Sequence, residues 1–289
     1  MTAPKLAQDT DNGRFYFHPA DQRSVPSITN IKGMKNFKAA GAVSAKECAT
    51  YASKNRAMLA TLDEDDAWRL VRGAPYRHDT PKNIASRVGD IVHAWIDARI
   101  QGETVNPRVY TDTNTGEEKE APTTARHMWE AFLQFEETYH PDWIASEFTV
   151  WSDTHHFAGT MDWSAKIGEF LVLGDNKSGK QVWPDMGIQL AAGSHADFIL
   201  NEDGTHEELP KFDRCAVLHI RPQSFSLVPI DNKAIEARWE EFLALKRVFE
   251  IELEYDDKTL LYAPRHTVRR APKPQPPRGG RRTTSQSAS

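Results

Sequence analysis

Cysteine is nearly absent from this sequence. Of 289 residues only Cys48 and Cys215 carry a thiol, and neither belongs to a C-x-x-C pair. Such a chain builds no disulfide framework, and an iron–sulfur cluster held by four cysteines is excluded by number alone. Long apolar runs are missing too. No stretch approaches the ~20 apolar residues of a membrane-spanning helix. Residues 1–13 lack the apolar core of a secretory signal, so the expected location is the cytoplasm, with no membrane partner. No internal repeat is visible. Acidic residues vanish from the end of the chain: 265–289 hold seven Lys/Arg and no Asp/Glu, leaving 29 basic against 41 acidic residues, a charge of −12, in the body. An acidic body is a poor general surface for nucleic acid, so any such contact must be local.

What is present suffices for a large fold. Hydrophobic residues make up 39% and charged residues 27%, which is polar, but 28 aromatic side chains, eight of them Trp, can fill a core. Residues 1–12 are polar and expected to be disordered, and 261–289, rich in Pro, Arg and Gly, are expected to be a basic disordered tail. Such a tail either grips nucleic acid or merely keeps the chain soluble.

Residues 13–142 read as a helical part. Ser44, with Glu47 three residues on, forms a capping box for a helix to about residue 59. A short helix is expected over 64–71 and a long one over 81–101, where Ile84, Val88, Ile91, Trp95 and Ala98 recur at helical spacing. A polar loop over 101–121 and a helix to about 139 follow. From Trp143 the period changes. Residues 143–260 read as three strands, a helix over 185–200, an acidic turn, two strands and a last helix. That order predicts an α/β core built on a mixed sheet flanked by helices.

The second and third of these strands carry the chemistry. Gly168-Glu169 is a two-residue turn of the Gly-X kind. It sets Ile167 opposite Phe170, and counting outward sets Asp162 opposite Asp175. Lys177, two residues past Asp175, shares its face. Facing carboxylates repel, and a chain has little reason to build the pair unless a cation lies between them. A divalent metal with a lysine beside it is machinery for cutting phosphodiesters. Three further residues sit where they could join this group, although each also fits a plainer role: His93 on the long helix, with Gly89 one turn earlier; Glu147 in the first strand; and Gln189 on the helix that follows the hairpin. His155-His156 lacks further ligands at zinc spacing.

These residues, in this order, resemble the PD-(D/E)XK nuclease superfamily, most closely its RecB-like and CRISPR-associated exonucleases. The match runs over about residues 84–200. It comprises G-x-x-x-H at Gly89 and His93, a strand glutamate at Glu147, G-x-x-D at Gly159 and Asp162, D-x-K at Asp175 and Lys177, and a helix glutamine at Gln189. Residues 26–59 are similar to the N-terminal helical part of phage-encoded members. The resemblance implies a restriction-endonuclease-like core. His93, Asp162, Asp175 and the Asn176 carbonyl would bind Mg²⁺ or Mn²⁺, Lys177 would position or activate the attacking water, and Gln189 would order the site or the DNA. No iron–sulfur cluster is implied. Two positions depart from the pattern: Asn176 stands where the family often has an acid, and Gly193 where it usually has Tyr. The implied activity is metal-dependent hydrolysis of DNA, expected to be exonucleolytic and to serve phage recombination, repair or processing, with DNA and a recombination protein as partners. An endonuclease with the same site, and a non-catalytic nucleic-acid-binding protein on a nuclease fold, are the alternatives.

Overall fold

The structure is a computed structural model. It describes residues 6–76, 81–113 and 115–255, without the side chains of 36–43, 81 and 82. In chain order the elements are β1 (Ala7–Thr10), β2 (Gly13–Phe17), β3 (Ser24–Pro26), α1 (Ile28–Gly33), α2 (Phe37–Lys54), α3 (Arg56–Leu59), α4 (Glu64–Gly73), α5 (Pro81–Ile100), β4 (Val109–Thr111), β5 (Glu118–Glu120), α6 (Thr123–Tyr139), β6 (Asp142–Ser152), β7 (Phe157–Ile167), β8 (Phe170–Lys177), α7 (Met186–Ser194), β9 (Phe198–Leu200), β10 (His206–Glu208), β11 (Arg214–Arg221), β12 (Ser224–Ile230) and α8 (Asn232–Glu254). The fold is α/β. The expected tail over 261–289 lies outside the described residues.

Seven strands form one mixed sheet in the order β10-β9-β6-β7-β8-β11-β12. Only β8 and β11 run parallel, and parallel neighbours need a crossover. The segment carrying α7 and the β9–β10 hairpin supplies it. One face of the sheet is covered by α5 and α6, where Val92, Trp95 and Ile96 meet Phe132, Phe135, Trp163 and Leu218. The other is covered by α1, α7 and α8, where Ile28, Ile31, Ile188 and Phe242 meet Phe157, Leu173 and Val217. Phe132 and Phe135 are fully buried, each contributing about 2–3 kcal/mol. Helix α6 stops at His140, which turns left-handed (φ 44°) and donates its N–H to the Glu136 carbonyl, and Pro141 cannot continue the helix. Helix α7 lies hard against β7: a Cβ on Gly193 would stand 2.2 Å from Met161 Sδ, so any side chain there would have to displace Met161.

Several expectations are corrected. Residues 7–10 are not disordered, for they form β1, antiparallel to β2. Exposed side chains hide this strand from the sequence, and its main-chain bonds to β2 hold it, β2 being anchored by buried Tyr16. The N-terminal part is therefore not purely helical. β1, β2 and β3 make a small sheet whose Tyr16 and Val25 pack with Trp151 and Ala158. Ser44 does not cap a helix but lies inside α2, because Lys38, Ala39 and Ala40 are good helix formers and carry the helix back to Phe37. The loop over 101–121 contains the β4–β5 ribbon. The helix expected over 185–200 ends at Ser194, and 198–200 become β9, which pairs with β6 and β10. Without β9 that edge of β6 would be bare. Among the described residues, no helix is long and apolar enough to cross a membrane.

Candidate active site

The site grows from the β7–β8 hairpin. Gly168 takes φ +61°, as a Gly-X turn requires, and Ile167 pairs with Phe170. The register runs to Trp163 opposite Gly174, and the next step outward is Asp162 opposite Asp175. There the regular ladder stops. Asp162 Oδ2 instead accepts the Asn176 N–H at 2.6 Å. Strand β7 also turns over at this point: Met161 packs toward α7, whereas Trp163, two residues on, packs in the cluster under α5 and α6.

Asp175 is 1% exposed. Its Oδ1 accepts a hydrogen bond from Lys177 Nζ at 2.6 Å. Its Oδ2 is buried and accepts none, although the ammonium lies 2.5 Å away, off the bonding direction. Lys177 Nζ also donates to the Asn176 carbonyl at 3.1 Å. Burial pushes the Asp175 carboxyl up, Lys177 pulls it back only in part, and Asp162 adds to the rise. Burial opposes the charge on Lys177, yet Asp175 and Asp162 outweigh it and hold the amine protonated. In this arrangement Lys177 donates to Asp175 and to the Asn176 carbonyl and brings positive charge to that face. The Asn176 side chain faces away, accepting a 3.0 Å bond from Trp163 Nε1, so the Asn176 carbonyl is its contact with the lysine. Gly174 leaves the space that the Trp163 indole fills.

His93 comes from α5, with Nδ1 3.8 Å from Asp162 Oδ2. Gly89 lets α5 approach: a Cβ there would lie 2.6 Å from Ser178 Oγ, just past Lys177. Gln189 is half-buried on α7, and no hydrogen bond among the described residues ties it to the carboxylates. Lys32 on α1 gave no signal in the sequence, since a six-residue helix has too little periodicity to place it. It lies close enough to Lys177, Asp175, Asp185 and Asp162 to feel all four charges.

Glu147 continues the carboxylate row. β6 pairs with β7 through Ser146–Trp163 and Phe148–Met161, which sets Glu147 opposite Asp162. Its backbone is left-handed, φ +48°, a conformation costing roughly 1–3 kcal/mol in a non-glycine residue. The side chain keeps open surface but stands inside a cleft of about 1500 Å³ between α5, the β4–β5 ribbon and β6. Among the described residues, eight Asp/Glu line this cleft, including Asp90, Asp97 and Glu207, against one Arg. Loss of hydration, then Asp162, then Asp97, raise the Glu147 pKa to about 8. A carboxyl raised in this way costs the fold stability as pH climbs from its ordinary 4.5 toward about 8, because the folded state prefers to keep the proton. In metal-free buffer, Glu147→Gln is expected to melt above the wild type beyond about pH 8 and together with it below about pH 4. Melting curves across that range check this, and a difference independent of pH would contradict a retained proton.

Among the described residues, no three His, Cys, Asp or Glu side chains already stand as a closed metal site. The donor chemistry nevertheless fits a hard divalent cation. Asp175 Oδ2 has only the Lys177 ammonium as a partner, Asp162 lies next to it, and that ammonium binds the same Asp175 carboxylate and Asn176 carbonyl that such an ion would take. His93 would add one nitrogen, which Mn²⁺ accepts more readily than Mg²⁺. No family model matches this chain, and no curated protein matches it.

Proposed function

We propose that this chain is a metal-dependent deoxyribonuclease of the PD-(D/E)XK kind that hydrolyses DNA phosphodiester bonds, acting from strand ends. The observation that carries the reading is the meeting of Asp162 and buried Asp175 at the end of the hairpin, with a protonated lysine held against both Asp175 oxygens and the Asn176 carbonyl, where a cation would sit. Asp162, Asp175, His93 and the Asn176 carbonyl would hold Mg²⁺ or Mn²⁺. When bound, the ion supplies positive charge that stabilises the developing charge on the phosphate oxygens. Lys177 donates from the same face and stabilises that charge further. Asp162 also fixes the backbone of Asn176 through its 2.6 Å bond, which aims the Asn176 carbonyl. Glu147, whose pKa is raised to about 8 by loss of hydration, Asp162 and Asp97 while no ion is bound, would extend the row of carboxylates at the site.

The test is digestion of end-labelled linear DNA, single- and double-stranded, with Mg²⁺ or Mn²⁺. Mononucleotide release from ends, with circular strands untouched, is the expected result, and cutting of circles would make it an endonuclease. Lys177→Ala is expected to slow cleavage about a hundredfold, as removal of one preorganised donor does. Calorimetric Mn²⁺ binding should persist in that variant, since an ammonium is no ligand. Loss of Mn²⁺ binding would take Lys177 out of this role.

A further inference from the structure

The acidic cleft is the wrong path for a polyanion. Among the described residues, eight carboxylates there would face its phosphates, and one arginine would not offset them. The opposite rim of the site has another character. It is built by the end of α1 and by residues 178–185, which join β8 to α7. The ammonium of Lys32, in the last turn of α1, makes no hydrogen bond or salt bridge among the described residues. Burial and the neighbouring Lys177 pull its pKa down, while Asp175, Asp185 and Asp162 oppose them. An ammonium so placed gains from an added anion. Helix α1 holds it firmly, since Ile28 and Ile31 are buried and Ile28 sits over Gly159, where no Cβ would fit.

The connecting loop is pinned. Arg221 donates to the carbonyls of Ser178 (3.0 Å) and Gly179 (2.9 Å), and His219 Nε2 lies 2.8 Å from the same Gly179 oxygen. Val182 packs into the core cluster beneath α7. Asp185 acts on both Lys32 and Lys177, so the far end of the loop returns to the site. Between these anchors Trp183 is left 56% exposed. Of the eight tryptophans only Trp68 is as open, and Arg72 lies over its ring. A pinned loop that carries a bare indole two residues before Asp185, which lies within electrostatic reach of both Lys32 and Lys177, offers what an unpaired base and its phosphate need. An indole stacks on a base only when that base has left its neighbours, which duplex bases have not.

We propose that the site takes its nucleic acid as a single strand, one base stacked on Trp183 and an adjacent phosphate on Lys32. The proposal rests on the nuclease reading for its site but not for its test. The full chain is titrated, in EDTA so that nothing is cut, into a fluorescein-labelled oligothymidylate, an abasic strand of equal length and the matched duplex. Trp183→Ala should weaken oligothymidylate binding about tenfold, the factor produced by 1.4 kcal/mol of lost stacking, and Trp183→Phe should restore most of it. Binding to the abasic strand and the duplex should not change. Lys32→Ala should reduce the salt slope on single strands by about 0.7. Strand binding should quench wild-type tryptophan fluorescence more than that of Trp183→Phe. Equal oligothymidylate affinity in wild type and Trp183→Ala, or an equal loss on the duplex, overturns the proposal. Trp183-dependent binding without cleavage in Mg²⁺ or Mn²⁺ would sink the nuclease reading alone, and cleavage with Trp183-independent binding would sink this one alone.

Discussion

Asp175→Asn is expected to lower metal-dependent cleavage by about a thousandfold or more, the equivalent of roughly 4 kcal/mol in the barrier. It should do so without unfolding the chain. The amide fills the same volume, and its oxygen can still accept the bond that Lys177 gives to Oδ1. It also removes a carboxylate that burial pushes toward the protonated form. What it loses is the second anionic oxygen, the one that accepts no hydrogen bond in the protein. A purely structural Asp175 would show the reverse pattern, with the melting temperature falling along with activity. Cleavage rates and melting curves on the same preparation decide between them, and undiminished cleavage would end the assignment of Asp175 to the metal site.

Gly174→Ala is expected to be the most damaging conservative change to the fold. Its Cβ would lie 1.9 Å from Cε2 and Cζ2 of Trp163. That indole cannot step aside: it is fully buried, bonded to Asn176 Oδ1 and set edge-on to Trp143. Overpacking of this kind costs about 3 kcal/mol or more. For a domain of this size that lowers the melting temperature by roughly 6–12 °C. Gly33→Ala is the control, because an added methyl there meets nothing. An unchanged melting temperature for Gly174→Ala would mean that β7 and β8 are not packed through Trp163. The strand end carrying Asp175, Asn176 and Lys177 should lose its geometry in the same variant, so metal-dependent cleavage falls with stability.

The left-handed Glu147 carries a different lesson. Its position as a strand glutamate was legible from spacing, but its setting was not. An isolated reading makes it a charge on an exposed edge. In the fold, β9 and β7 flank β6 and leave Glu147 inside a cleft opposite Asp162. Burial and negative neighbours then alter its acidity, and neither is a property of local sequence. Lys32 and Trp183 went unread for a related reason. One sits on a six-residue helix and the other in a loop, where no period marks which side chains turn toward a site.

The sequence by itself determined what depends on near neighbours. A two-residue turn and alternating side chains suffice to set the β7–β8 register, and with it the opposition of Asp162 and Asp175 and the shared face of Lys177. The long helices α5 and α6 were equally plain, because their apolar stripes repeat within one element. Tertiary structure alone decided what depends on distant partners: the packing of Tyr16 with Trp151 and Ala158 that anchors the N-terminal hairpin, the conversion of 198–200 from helix to strand through β6, and the approach of His93 to Asp162. Each needs a second segment to supply hydrogen bonds or close packing, and no window of local sequence contains that segment.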